Sequence, residues 1–262
     1  MIVIKYGGHV LQGSGENDLV IETISKYYLS GGRVVVVHGG GPAINAELII
    51  HNVETTISSG YRVTTPEVMH VVQETLSGSV LRTLTNKFIG FGVNAVGLST
   101  GDGKIMRARK YQPTVGGVSS DIGLVGEAES MDTSLLHLLL DNGYLPIVSP
   151  VGVQSDGVAL NINADLAAGS IAGSLGASEI LFITDVAGIY RNWPDLTSLI
   201  DQISLVELTE LAPTFSEGMV PKVKAVITAL ESGAKRARVI DGSKSFNLEQ
   251  AFAGIGGTVV TA

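Results

Sequence analysis

Arg33-Val34-Val35-Val36-Val37-His38-Gly39-Gly40-Gly41-Pro42 decides the fold. Four consecutive β-branched residues with no polar alternation read as a strand buried on both faces, the signature of a parallel sheet. Three glycines then turn the chain, and Pro42 suits a first helical turn, where its missing N–H is not needed. A helix is expected over Ala43–His51. Working outward, Ile2–Tyr6 reads as a strand followed by a glycine-rich turn and a helix around Asp18–Leu29. Pro66–Phe88 reads as mostly helical, with Thr64-Thr65 as candidate caps. Strands are expected at Asn94–Leu98 and Leu145–Ser149, the latter preceded by a helix, Thr133–Leu140, that ends at Asn142-Gly143. From Ala164 a helix runs to Leu175, then a strand, Glu179–Thr184, and a long turn holding Trp193-Pro194-Asp195. Helices at Leu205–Leu211 and Pro221–Glu231 and strands at Arg236–Ile240 and Thr258–Val260 complete the chain. This alternation predicts a three-layer αβα sandwich with a mainly parallel central sheet. Lys104–Glu129 differs: its glycines and β-branched residues read as hairpins, a candidate lid or dimer element. With no linker and no internal repeat, two closely packed lobes are expected, residues 1–174 and 175–262.

Composition narrows the function. The chain has 262 residues, 45% hydrophobic and only 16% charged, which supplies a buried core and argues against disorder. Seventeen Lys and Arg against 25 Asp and Glu give a net charge of −8, and no basic tract is present. General nucleic-acid binding is therefore not expected. With no cysteine, disulfides and thiolate metal sites are excluded. The apolar runs are strand-sized, so no membrane span is expected. Met1 leads into Ile2 without a charged n-region or cleavage site, which predicts a cytoplasmic protein.

No G-x-x-x-x-G-K-[ST] is present, Gly13-Ser14-Gly15 stops short of G-x-G-x-x-G, and H-E-x-x-H is absent. What remains are two glycine clusters, each between a buried strand and a helix: Lys5-Tyr6-Gly7-Gly8 and His38-Gly39-Gly40-Gly41-Pro42. Such turns expose backbone N–H groups at the positive end of a helix, where an anion is stabilised. A tight turn alone is the other reading of each. Asn161-Ile162-Asn163-Ala164-Asp165 opens a helix, as a capping sequence does whatever its function. In Gly218-Met219-Val220-Pro221-Lys222 a lysine sits at a helix start, where the dipole disfavours a cation unless an anion lies nearby. His38 is either a strand-end residue held by the backbone or a direct catalytic participant. Arg107, Arg109 and Lys110 are expected to face solvent.

Lys5-x-Gly-Gly, His38-Gly-Gly-Gly-Pro, Gly60-Tyr-Arg62-Val-Thr-Thr, Asn161-x-Asn-Ala-Asp165 and Gly218-Met-x-x-Lys222 occur together in this order. The set resembles the N-acetylglutamate kinase branch of the amino-acid kinase family over essentially the whole chain. Ser119–Gly126 and Arg191–Asp195 resemble the same branch. The resemblance implies that Lys5 and Lys222 flank a transferring phosphoryl group, with Asp165 holding both lysines. It implies that Gly8 and Gly40 donate N–H groups to that phosphoryl group. Gly40, Gly41, Arg62 and Asn161 would bind an acylated acidic amino acid. Thr184, Asp185, Gly188, Tyr190, Gly218 and Met219 would surround ATP, with Mg²⁺ held mainly by the nucleotide phosphates and no protein metal site.

His9 stands where the family usually has a small or amide residue, so the first glycine loop is expected to differ in detail. The resemblance further implies an N-terminal substrate lobe, a C-terminal nucleotide lobe and a homodimer joined through the apolar-rich Pro66–Phe88 stretch. Since the first strand begins at Ile2, the extra helix that interlaces arginine-inhibited members into hexamers is not expected, nor is arginine sensitivity. Two alternatives share the fold. One is a sister kinase acting on carrier-linked glutamate or 2-aminoadipate; the other is a non-catalytic sensor, which need not keep both lysines and Asp165.

Overall fold

The computed structural model describes residues 1–7, 16–58, 60–115, 118–215 and 219–262. Its centre is an eight-stranded sheet in the order Gln202–Ser204, Thr258–Thr261, Arg236–Asp241, Glu179–Thr184, Ile2–Tyr6, Val34–His38, Leu145–Ser149 and Ala95–Ser99. The last six strands are parallel. Thr258–Thr261 is antiparallel to Arg236–Asp241, and Gln202–Ser204 follows it, so one edge runs against the rest.

Side-chain alternation along each strand builds the three layers. Val35 and Val37 face one core, packed against the helices Ser134–Asp141, Ala164–Ser174 and Val220–Glu231 through Leu136, Ile171 and Val226. Val34 and Val36 face the other, formed with Ile21, Leu84 and Leu248 of the helices Glu16–Leu29, Leu81–Gly90 and Ser245–Phe252. All four valines are fully buried. Each contributes about 1.5–3 kcal/mol relative to an exposed side chain, so a charge at any of them would break a layer.

At one edge the fully buried Arg238 donates from Nε to Glu179 Oε1 (2.9 Å) and from its Nη atoms to the carbonyls of Gly254 and Gly256. Glu179 Oε2 accepts from Arg236 (2.9 Å). One buried carboxylate thereby compensates the arginine and ties the loop before the last strand to the sheet.

The expected hairpins within 104–129 are present. Met106–Lys110 pairs antiparallel with Val125–Met131 across a bulge at Arg107/Ala108. With Val151–Val153 and Ala159–Ile162 these strands close a small four-stranded barrel that the sequence reading did not foresee. Arg107, Arg109 and Lys110 point to solvent. Pro66–Gln73 and Leu81–Gly90 are α-helical, joined by a π-helical stretch, Glu74–Val80. Val68, Met69, Val71, Val72, Leu76, Leu81, Leu84 and Phe88 are buried in the chain's own core, so Ile89 is the large apolar side chain this stretch exposes. Among the described residues no helix is long and apolar enough to cross a membrane.

Candidate active site

Parallel register sets the site. Tyr6 is aligned with His38 on one side and Ile183 on the other. The turns that follow, at Gly7, at Gly39–Gly41 and at Thr184–Asp185, therefore leave the sheet at one edge. Gly39 donates its N–H to Tyr6 O (3.0 Å), fixing the first two turns to each other. At Gly7 a Cβ would lie 2.8 Å from the Ile183 carbonyl, and at Gly40 it would lie 2.5 Å from Leu76 Cδ2 of the π-helical stretch. Glycine is thus needed at the first turn, where the clash would be with backbone, while at Gly40 a side chain would have to displace the Leu76 methyl. Around Gly41 an added Cβ would meet open space.

Lys5 points from its strand to the helix Ala164–Ser174, whose cap, Asn163, accepts from the amides of Asp165 and Leu166 at 2.9 and 3.2 Å. That cap places Asp165 in the first turn, where a carboxylate is favoured by the helix dipole. Lys5 Nζ and Asp165 Oδ1 are 2.7 Å apart, with side chains 12% and 22% exposed. Lys222 lies in the first turn of Val220–Glu231, facing Asp185 Oδ1 at 3.4 Å. Asp165 thus pairs with Lys5, one of the two lysines expected of it, and Lys222 faces Asp185, which leaves the sheet beside the start of that lysine's helix.

A second group assembles beside the glycine turns. Arg62 Nη2 donates to Asn45 Oδ1, on the helix Gly41–Ile50 that Gly40 caps. Asn161 Nδ2 donates to Thr64 Oγ1 (3.1 Å), and that hydroxyl donates to the Arg62 carbonyl (2.8 Å). Gly40, Gly41, Arg62 and Asn161 are thereby linked through Asn45 and Thr64, neither of which sequence reasoning assigned to the site. Of the two candidate caps, Thr65 alone caps the helix, accepting from Val68 N–H at 3.3 Å. Partial burial lowers the Arg62 pKa from its ordinary value without removing its charge.

The remaining expectations separate. The Thr184 hydroxyl donates to Val186 O (3.0 Å) and accepts from Val186 N–H (3.2 Å), shaping the turn that presents Asp185. Gly188 packs so closely on Thr258 that a side chain would collide with its hydroxyl. Tyr190 is buried, its ring centroid 5.2 Å from that of Trp193, and Met219 is buried in the core. These three have packing reasons for their identity. Gly8, His9 and Gly218 lie outside the described residues.

His38 is fully buried and its Nδ1 donates to the Gly39 carbonyl (2.9 Å), while Nε2 has no partner. Burial lowers its pKa to about 4, against a smaller rise from that hydrogen bond. A neutral, backbone-held imidazole follows, the first of the two readings of this residue. Among the described residues no group of three or more His, Cys, Asp or Glu could hold a metal ion. Lys5–Asp165 and Lys222–Asp185 both lie where the chain leaves the sheet after Tyr6 and Ile183, and ammonium groups there can neutralise charge that develops on a phosphoryl group.

The sequence model of the amino acid kinase family matches residues 1–241. Acetylglutamate kinase of Mycolicibacterium smegmatis is 42% identical over 247 residues, covering 92% of this chain and 83% of that protein. That of Mycolicibacterium gilvum is 41% identical over 242 residues, with the same coverage. Among solved structures, N-acetylglutamate synthase from Neisseria gonorrhoeae, complexed with coenzyme A and N-acetyl-glutamate, superposes with a TM-score of 0.85 at 25% identity. It covers all of this chain, which spans 59% of that one. A Giardia carbamate kinase superposes with a TM-score of 0.75 at 20% identity, a likeness of fold alone.

Proposed function

This chain belongs to the amino acid kinase family, and from that premise we propose that it transfers the γ-phosphoryl group of ATP to the side-chain carboxylate of N-acetyl-L-glutamate. The products are ADP and N-acetyl-L-glutamyl 5-phosphate, in a step of arginine biosynthesis. The observation that carries this reading is the convergence of Lys5–Asp165, Lys222–Asp185 and the two glycine turns at one sheet edge, beside Arg62 and Asn161. The names of the curated relatives support the substrate.

The acceptor carboxylate is ionised at neutral pH, so the protein need not supply a general base, and the neutral His38 need not act as one. Catalysis then rests on position and charge. Arg62, Asn161, Gly40 and Gly41 bind the acyl amino acid. Gly40 and, in the same proposal, Gly8 offer N–H groups to the phosphoryl oxygens. Lys5 and Lys222 neutralise the charge that grows on them, each oriented by its own carboxylate. Thr184, Asp185, Gly188, Tyr190, Gly218 and Met219 form the nucleotide side, and Mg²⁺ arrives with ATP on its phosphates. The first lobe, 1–174, carries the acyl site and the second, 175–262, the nucleotide. Two copies in the cytoplasm would pair through the Pro66–Phe88 stretch; its large apolar side chains are mostly used internally, so polar side chains would form much of that contact.

An ADP-release assay with free N-acetylglutamate, run beside carrier-protein-linked glutamate and 2-aminoadipate, tests the reading. Turnover of the free amino acid is expected. Turnover of the carrier-linked substrates alone would move the assignment to the sister kinase.

A further inference from the structure

The residue before Arg62 makes a contact that the phosphoryl-transfer chemistry does not use. Tyr61 and Arg62 form a two-residue strand antiparallel to Ile57–Ser58. So short a hairpin has little stability of its own and takes its position from what it touches. On one side, Arg62 reaches Asn45 and Thr55 Oγ1 donates to Val63 O (2.7 Å). On the other, Lys224 Nζ donates to Tyr61 Oη at 3.1 Å, across 163 residues of sequence. The same ammonium lies 5.6 Å from the ring centroids of both Tyr61 and Tyr111, whose rings are 4.8 Å apart and tilted by 46°. A cation held over two electron-rich faces and one hydroxyl has a defined seat.

What surrounds this seat shows why it matters. A crevice of about 330 Å³ separates the barrel strand Val125–Met131 from the helices Ala164–Ser174 and Val220–Glu231, lined by Ser170, Ser174 and Thr228 among others. Apolar packing does not close it. At the hairpin end it is spanned by the Lys224 side chain, on the helix whose first turn carries Lys222.

We infer that Lys224 and Tyr61 form a positioning contact that holds the Ile57–Arg62 hairpin against the phosphoryl-side helix, and so sets Arg62 for the acyl substrate. The inference rests on the function proposed above for the substrate it names. Lys224 touches neither reactant. It acts through Tyr61 on the fraction of molecules whose hairpin is placed for binding, and apparent affinity falls in proportion to that fraction.

The experiment compares the full chain with its Lys224→Met, Lys224→Arg and Tyr61→Phe variants. Backbone hydrogen exchange over residues 57–62 should be faster in Lys224→Met and Tyr61→Phe, with the unfolding midpoint unchanged. Lys224→Arg should restore slow exchange, since guanidinium keeps the charge, a donor and the ring contacts. KM for N-acetylglutamate should rise roughly threefold to tenfold in Lys224→Met, with kcat and the KM for ATP unchanged. Hairpin exchange that is indifferent to Lys224→Met overturns the inference, as does a rise in both KM values together. If the unsubstituted protein fails to turn over N-acetylglutamate, the proposed function falls. The exchange comparison needs no substrate and decides the contact by itself.

Discussion

Lys5 Nζ and Asp165 Oδ1 meet at 2.7 Å, joining the end of a central strand to the first turn of the helix that packs over it. Both side chains are mostly shielded, so the carboxylate fixes the direction of the ammonium more firmly than an exposed pair could. Lys5→Met should lower kcat by roughly 10²–10³ with little change in either KM, and Asp165→Asn should lower it in the same sense. Steady-state kinetics of the two variants check this. An unchanged kcat in Lys5→Met would return the lysine to a structural role.

Separate anchors for the two lysines make a further prediction. Lys222 pairs with Asp185 at 3.4 Å and Asp165 serves Lys5. In double-mutant cycles Lys5→Met and Asp165→Asn should be strongly non-additive, because they remove one unit. Lys222→Met and Asp165→Asn should add to within about 0.5 kcal/mol of activation free energy. Strong coupling in the second cycle would restore the single-anchor arrangement.

Arg62 donates from its planar fork to Asn45 Oδ1, on the helix that follows Gly40. Arg62→Lys keeps the charge and loses the fork. A charge-assisted pair contributes about 1.5–3 kcal/mol, so KM for N-acetylglutamate should rise roughly tenfold or more while KM for ATP holds. A parallel rise in both would mean that Arg62 supports the fold between the lobes.

His38 gives stability a pH dependence whose sign is fixed. Its pKa in the folded chain is lowered by burial to about 4, from an ordinary value of 6.5. Above 6.5 both states hold it neutral and the native state keeps its full stability. Between 6.5 and about 4 the unfolded chain binds the proton first, so stability is lost as pH falls, by about 3 kcal/mol in all. Denaturant unfolding at several pH values should show a shallower fall in His38→Gln than in the unsubstituted protein. Parallel curves would contradict the assignment of a buried neutral imidazole.

Much of this was legible in the sequence, and the reasons for the rest are physical. Val34–Val37 could be assigned because a strand buried on both faces needs an unbroken apolar run, and the glycine turns because strand-to-helix connections need them. Lys5, Asp165, Arg62 and Lys222 were visible as chemistry. The pairing of Lys222 with Asp185 was not, since it depends on how far the Val220–Glu231 helix start stands from each carboxylate. Thr64 was read as a cap because Thr64-Thr65 precedes a helix. Its actual link to Asn161 is made by a barrel whose strands, as short as Val151–Val153, carry too little periodicity to be read. Lys224 gave no signal at all: a lysine on an exposed helical position is ordinary until Tyr61 is found beside it.

The central claim is that this site makes an acyl phosphate on the side chain of N-acetylglutamate. Incubation with ATP, Mg²⁺, N-acetyl-L-glutamate and hydroxylamine tests it most directly, because hydroxylamine traps the mixed anhydride as a stable hydroxamate. The predicted result is N-acetylglutamyl 5-hydroxamate formed in step with ADP, and lost in Lys5→Met. ADP release without hydroxamate, or no reaction while nucleotide still binds, would contradict it.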